Sequence, residues 1–176
     1  KRTVLARELS MEEVTEIKEH ANAEIEVQVH GMTCMFQSKR SLLGNYFLYR
    51  DQAMEIENRK ENKNRFLHDK ERKNKYPIYE DLNGTHIFSP NDMCIIDELS
   101  ELFEVGIDSL KFDAILQTPE YTVKVTNLYR QAIDAYFDQG PDAYEDIKDE
   151  LLEKIEEIQP ALRPLDTGFI FKETVY

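Results

Sequence analysis

A strand, a helix and a second strand fit into the first ~30 residues, which commits this chain to at least one parallel pair of strands. Residues 3–6 form a short apolar run. Ser10 follows with Glu13 three positions on, the spacing of a capping box, in which each side chain accepts the other residue's backbone N–H. Val14, Ile17 and Ala21 then recur at helical spacing, and over residues 24–29 Ile25, Val27 and Val29 alternate with polar residues at strand period. A strand that returns through a helix must run parallel to the first.

The same grammar recurs downstream. Residues 76–80 and 85–88 flank Asn83-Gly84, a strong hairpin signal. Ser89-Pro90-Asn91-Asp92 reads as the start of a helix with Ile95, Ile96, Leu99, Leu102 and Phe103 on its apolar face and Gly106 as its C-cap. Residues 107–112 read as a third parallel strand. Thr118-Pro119-Glu120 opens a helix with proline at its first position, carrying Val123, Leu128, Ala132, Ala135 and Tyr136 as far as Gly140-Pro141. A last, acidic helix presents Leu151, Leu152, Ile155 and Ile158 and stops at Pro160.

The fold predicted is α/β: the C-terminal part of a β/α (TIM-like) barrel over residues 1–139, with a long inserted loop and hairpin region at 31–93. A C-terminal helix and tail follow at 140–176. Three parallel strands do not close a barrel, so the rest of it is expected upstream of Lys1.

Composition narrows the function classes. At 176 residues and 41% hydrophobic the chain can bury one core. It has no apolar run near the ~20 residues a spanning helix needs. Two cysteines sixty positions apart, with no secretory signal at the N-terminus, read as free thiols in a cytoplasmic protein. A net charge of −13 argues against a stand-alone nucleic-acid binder. The charge is uneven, however. Eight Lys/Arg between Arg59 and Lys75 face three acids, a net of +5 that leaves −18 for the remainder. This stretch reads first as a solvated loop and second as a phosphate-contacting patch.

Parallel α/β folds place their sites at the C-terminal ends of the strands. That end of the second strand delivers His30, Gly31 and Cys34; the third delivers Lys111 and Asp113; the first delivers Arg7 and Glu8. These groups are expected to converge. His30 and Cys34 have the types of a base and a thiol nucleophile, though a buried structural cysteine is the plainer reading. Lys111 and Asp113, two apart on a strand, share a face and suit either an anionic ligand or a structural ion pair. Tyr46, Phe47 and Tyr49, close to Arg40 and Arg50, read first as seeds of a small aromatic core and second as a base-stacking surface. No zinc-peptidase helix, nucleophile elbow, phosphate loop or dinucleotide fingerprint occurs.

The stretch from Glu26 to Leu43, with Glu26, Gly31, Cys34 and Leu43 in place, resembles the signature segment of the collagenase-like peptidase family, U32. The frame around it resembles that family too, at residues 6–10, 92–96, 106–111, 119–121 and 129–132, most of all its short Gram-positive members. The resemblance implies a tRNA-modification factor, hydroxylating the wobble uridine in a prephenate-dependent way beside a longer paralogue. Collagenase-like peptide hydrolysis and a non-catalytic scaffold are the alternatives. It also implies a catalytic or ligand site at His30, Cys34, Lys111 and Asp113, with tRNA phosphate on Lys39, Arg40, Arg65, Lys73 and Lys75. Where relatives carry an iron–sulfur cluster, this chain matches at Cys34 and Cys94 but has Ser41 at the second ligand and no cysteine for the third. No cluster is therefore expected. The family's Glu-Gly-Arg after the third strand is here Asp113-Ala114-Ile115, which removes a guanidinium fork.

Overall fold

The opening βαβ unit forms where the patterning places it. In the computed structural model, which describes residues 1–50, 65–71 and 74–171, β1 (Arg2–Val4) leads through α1 (Met11–His20) into β2 (Glu24–Ser38). Ser10 caps α1 as the spacing requires: its hydroxyl accepts from the Glu13 N–H, and the Glu13 carboxylate accepts from the Ser10 N–H at 2.8 Å. Such a cap is worth about 1 kcal/mol. β1 runs parallel to β2 with Thr3 opposite Ile25, and β6 (Ser109–Asp113) runs parallel to it with Leu110 opposite Val27.

The remaining elements are α2 (Leu42–Tyr49), β3 (Phe66–His68), β4 (Lys75–Asp81), β5 (Gly84–Cys94), α3 (Leu99–Val105), α4 (Pro119–Asp134), α5 (Pro141–Glu145), α6 (Lys148–Ile158) and β7 (Leu165–Asp166). A π-helical turn, Ala135–Gln139, ends α4. The fold is mixed α/β with an open sheet. No ring closes among the described strands.

The chain divides into two compact units. The first comprises residues 1–31 and 91–176, the second residues 32–90. Residues 140 onward thus fall within the first unit.

In the first unit β1, β2 and β6 are parallel, and the end of β5 pairs in parallel with β7, Asp92 opposite Leu165. Its core joins Ile25, Val27 and Val29 of β2 to Ile95, Ile96, Leu99 and Leu102 and to Val125, Leu128, Tyr129 and Ala132 of α4. Tyr144 ties α5 into this core by donating to Ile96 O at 2.7 Å and accepting from Leu99 N at 2.9 Å. The second contact satisfies an N-terminal amide of α3 that its own N-cap, Glu98, leaves unserved.

In the second unit β3, β4 and β5 form antiparallel pairs, with Ile78 opposite Ile87 and His68 opposite Lys75. The hairpin turns at Leu82-Asn83, one residue before the expected Asn83-Gly84 centre, and Gly84 opens β5. Gly84 has φ +118°, and a Cβ there would lie 1.9 Å from Ser38 O, so only glycine fits.

Three local expectations fail. The segment after Gly31 is not an irregular loop, because β2 continues to Ser38 and α2 follows. Ser89–Asp92 does not start a helix: β5 carries on to Cys94, and the helix begins only at Leu99, so Ile95 and Ile96 lie in the strand-to-helix connection. Pro90 is tolerated there as strand prolines are wherever no ladder donor is needed. Val123, assigned to the apolar face of α4, is 60% exposed, and Tyr121 and Val125 are buried instead.

Candidate functional site

In the first unit the end of the parallel-paired part of β2 delivers His30 into a largely buried polar chain. Both faces of the strand are covered here, Gln28 and His30 as fully as Val27 and Val29. β2 bulges between Gln28 and His30, and Gly31 has φ +102°. A Cβ on Gly31 would sit 1.9 Å from Asp113 O, so glycine permits the close approach of β2 to β6.

His30 Nε2 lies 2.8 Å from the Tyr121 hydroxyl, and Nδ1 lies 3.5 Å from that of Tyr129. Tyr121 donates its only proton to Gln159 Oε1 at 2.5 Å. It must therefore accept from His30, which assigns the Nε2–H tautomer. Tyr129 donates to Val29 O at 2.9 Å. Gln159 spends both amide hydrogens, on Asp92 Oδ2 at 2.8 Å and Arg163 O at 2.7 Å. Asp92 also accepts from Gln117 at 3.1 Å and pairs with Arg163.

The electrostatics follow from burial. Desolvation pushes the His30 pKa down to about 4, so the ring is neutral at pH 7. It pushes the Cys94 thiol up to about 11; Cys94 lies 3.7 Å from the Tyr129 hydroxyl. Burial likewise raises Asp92, which Arg163 and Gln159 offset. Beside His30 is a small cleft of about 10 Å³, lined also by Phe112, Asp113, Tyr121 and Thr126. That is room for about one water molecule.

The sequence-predicted residues divide as follows. Asp113 borders the His30 cleft, and its carboxylate accepts from Ile115 N at 3.3 Å. The β6 side chain that meets the His30 ring is Phe112, with centroids 6.2 Å apart; Lys111 does not line the cleft. Cys34 lies in the second unit, half-buried, its thiol directed at Phe36 O at 3.5 Å. Lys39, Arg40, Arg65 and Lys75 are also in the second unit, and Lys73 lies outside the described residues. Sequence reasoning missed Tyr121, Tyr129, Gln159 and Arg163. Tyr121 and Tyr129 carried a local sign, their place on the buried face of α4.

The second unit holds a different feature, an open apolar groove of about 600 Å³ between α2 and the β3–β5 strands. Tyr46 and Phe47 meet edge to face at 5.6 Å, and the Arg65 guanidinium sits 4.8 Å from the Phe47 ring centre. Tyr46 is 56% and Tyr49 85% exposed, so these rings do not make the closed aromatic core that was the first expectation. Glu80, buried beneath α2, accepts from Leu43 N, Gly44 N and Thr85 Oγ1 and so fills the helix N-terminus.

Iron–sulfur clusters are held by cysteine thiolates. The sequence has two cysteines; Cys94 is a buried, protonated thiol, and Ser41 is a hard, weak donor. Among the described residues no group of three or more His, Cys, Asp or Glu is arranged to hold a metal ion, and no helix is long and apolar enough to cross a membrane.

Comparison with known proteins agrees with the signature segment. The chain is 62% identical over 175 residues to tRNA hydroxylation protein P2 of Bacillus subtilis, covering 99% of this chain and 56% of that protein. It is 33% identical over 135 residues to tRNA hydroxylation protein P1 of the same organism, covering 77% and 32%. It is 30% identical over 182 residues to an uncharacterized protease of Methanocaldococcus jannaschii, covering 98% and 42%. The chain thus spans about half the length of these relatives or less. No solved structure matches it. The family profile described as peptidase family U32 matches residues 1–175, and the chain belongs to that family.

Proposed function

We propose that this chain is part of a cytoplasmic tRNA-modification factor that hydroxylates the wobble uridine and works beside a longer paralogue. The observation that carries the reading is the 62% identity over 175 residues to a protein named for tRNA hydroxylation. The P1 and P2 relatives occur in one organism, which supports a paired arrangement. In this reading β1, β2 and β6 belong to a β/α barrel completed by the part of the protein that the relatives have and this chain does not span.

His30 and Asp113 mark the ligand end of the barrel, with Lys111 on the same strand offering a cation. The imidazole is a poor base at a pKa of about 4. Its part is to hold a proton on Nε2 and fix the Tyr121 hydroxyl. Lys39, Arg40, Arg65 and Lys75 contact tRNA phosphate. Prephenate is a dependence of the complete protein.

Peptide hydrolysis has less support. A protease-named relative favours it, but an imidazole near 4 is a poor base and the candidate thiol, Cys34, is directed at Phe36 O. The test is nucleoside mass spectrometry of tRNA from a strain lacking this gene and its paralogue. Loss of the hydroxylated wobble uridine, restored by the complete gene, supports the reading. Unchanged tRNA refutes it.

A further inference from the structure

We infer that the groove of the second unit takes an unstacked base of single-stranded RNA. The inference rests on the RNA reading above and gives that RNA a place to bind. Three observations carry it. The first is size: about 600 Å³ falls within the roughly 300–1,000 Å³ of small-molecule sites.

The second is wall chemistry. Tyr46, Phe47 and Phe66 supply flat rings, Leu42 and Ile87 supply aliphatic floor, and Arg65 lies over the Phe47 ring. Rings and guanidinium planes are what unpaired bases stack on, whatever their sequence.

The third is charge. The second unit holds eleven of the 22 Lys/Arg but eight of the 35 Asp/Glu, a net of +3 against −16 for the first. Two of its four described acids are absorbed internally: Glu80 under α2, and Asp81 on Asn83 and His86. The cations stand at the rim through chain adjacency. Arg40 O accepts from Leu42 N and lies 2.8 Å from Thr85 Oγ1, two groove residues. Arg50 is the C-cap of α2, and Lys75 pairs with His68 across the β3–β4 ladder. An acidic partner with flat apolar faces fits this pattern, whereas a plain apolar protein helix would leave the cations unanswered.

The experiment uses the full-length protein and a fluorescent RNA hairpin with a thiouridine-bearing single-stranded loop, beside a duplex of equal charge. Tyr46→Ala is expected to weaken loop binding by roughly 5- to 100-fold and leave duplex binding unchanged. Tyr46→Phe, which keeps the ring, is expected to bind as the unaltered protein does and stays informative should the alanine variant not fold. Thiouridine crosslinks are expected within residues 42–47 or 65–68. Unchanged loop affinity in Tyr46→Ala, or crosslinks confined to the first unit, overturns the groove while leaving the RNA reading intact. So does a Tyr46→Ala protein that binds RNA normally but no longer copurifies with the paralogue, since the groove is then a protein-docking surface. An unaltered protein that binds neither RNA overturns both.

Discussion

The two units of this chain distribute polarity in opposite ways. The first, strongly acidic overall, hides its informative polar groups: His30, Asp92 and Arg163 are buried and tied to one another through Tyr121 and Gln159. The second, net basic, exposes the rings of Phe36, Tyr46 and Tyr49 and buries a single carboxylate, Glu80, among its described residues. A buried and nearly satisfied polar chain fixes geometry, because every member loses a partner if any one moves. An exposed aromatic groove with cations at its rim is available to meet something else. One unit is built as a frame and the other as a contact surface.

The largest effect expected from breaking this contrast is at Asp92. Asp92→Ala leaves Arg163 buried without its carboxylate and strips acceptors from Gln117 and Gln159. It should cost about 3–5 kcal/mol in urea unfolding. A loss below about 1 kcal/mol would show that the chain is not holding the first unit together.

Next comes pH. The folded pKa of His30, about 4, lies below its ordinary 6.5, so unfolded chains bind the proton first as the solution is acidified. Its contribution is fully present above pH 6.5 and is lost as pH falls toward 4, at most ~3 kcal/mol. His30→Gln should flatten the stability slope across that window. An unchanged slope would place the acid sensitivity elsewhere.

Smaller effects are expected in the second unit. Glu80→Ala orphans Leu43 N and Gly44 N, while the Thr85 hydroxyl can turn to Arg40 O at 2.8 Å; it should cost about 1–3 kcal/mol, read as faster hydrogen exchange in α2. Neutralising Lys39, Arg40 and Lys75 to glutamine should leave stability within about 0.5 kcal/mol. The same changes should lower the salt dependence of RNA binding by about one unit of slope for each phosphate that no longer meets a cation. Stability losses at these exposed cations would erase the distinction between frame and surface.

What could be read from sequence follows the same division by range. The capping box of Ser10 and Glu13 and the proline start of α4 are local signals that sit where their chemistry places them, and the Asn83-Gly84 hairpin forms with its turn one residue earlier. The Ser-Pro-Asn-Asp run at residues 89–92 is also a local helix-start signal, and tertiary context overrides it. Asp92 is drawn into β5 by pairing with β7 and by Arg163, 71 positions away, a partner no window around it reveals. The partners of His30 lie 91 and 99 positions off, so its hub was invisible even though the histidine itself stood out at a strand end. In the second unit the aromatic run of residues 46–49 was plain, but its exposure depended on Glu80 and the hairpin anchoring α2 above the sheet.

The most direct test of this division is hydrogen–deuterium exchange of the full-length protein with and without tRNA. Slowed exchange is predicted in α2 and in β3 to β5 of the second unit, around residues 39–50 and 65–90, with β2 and α4 of the first unit unaltered. Protection confined to the first unit, with the second exchanging as before, would contradict the account.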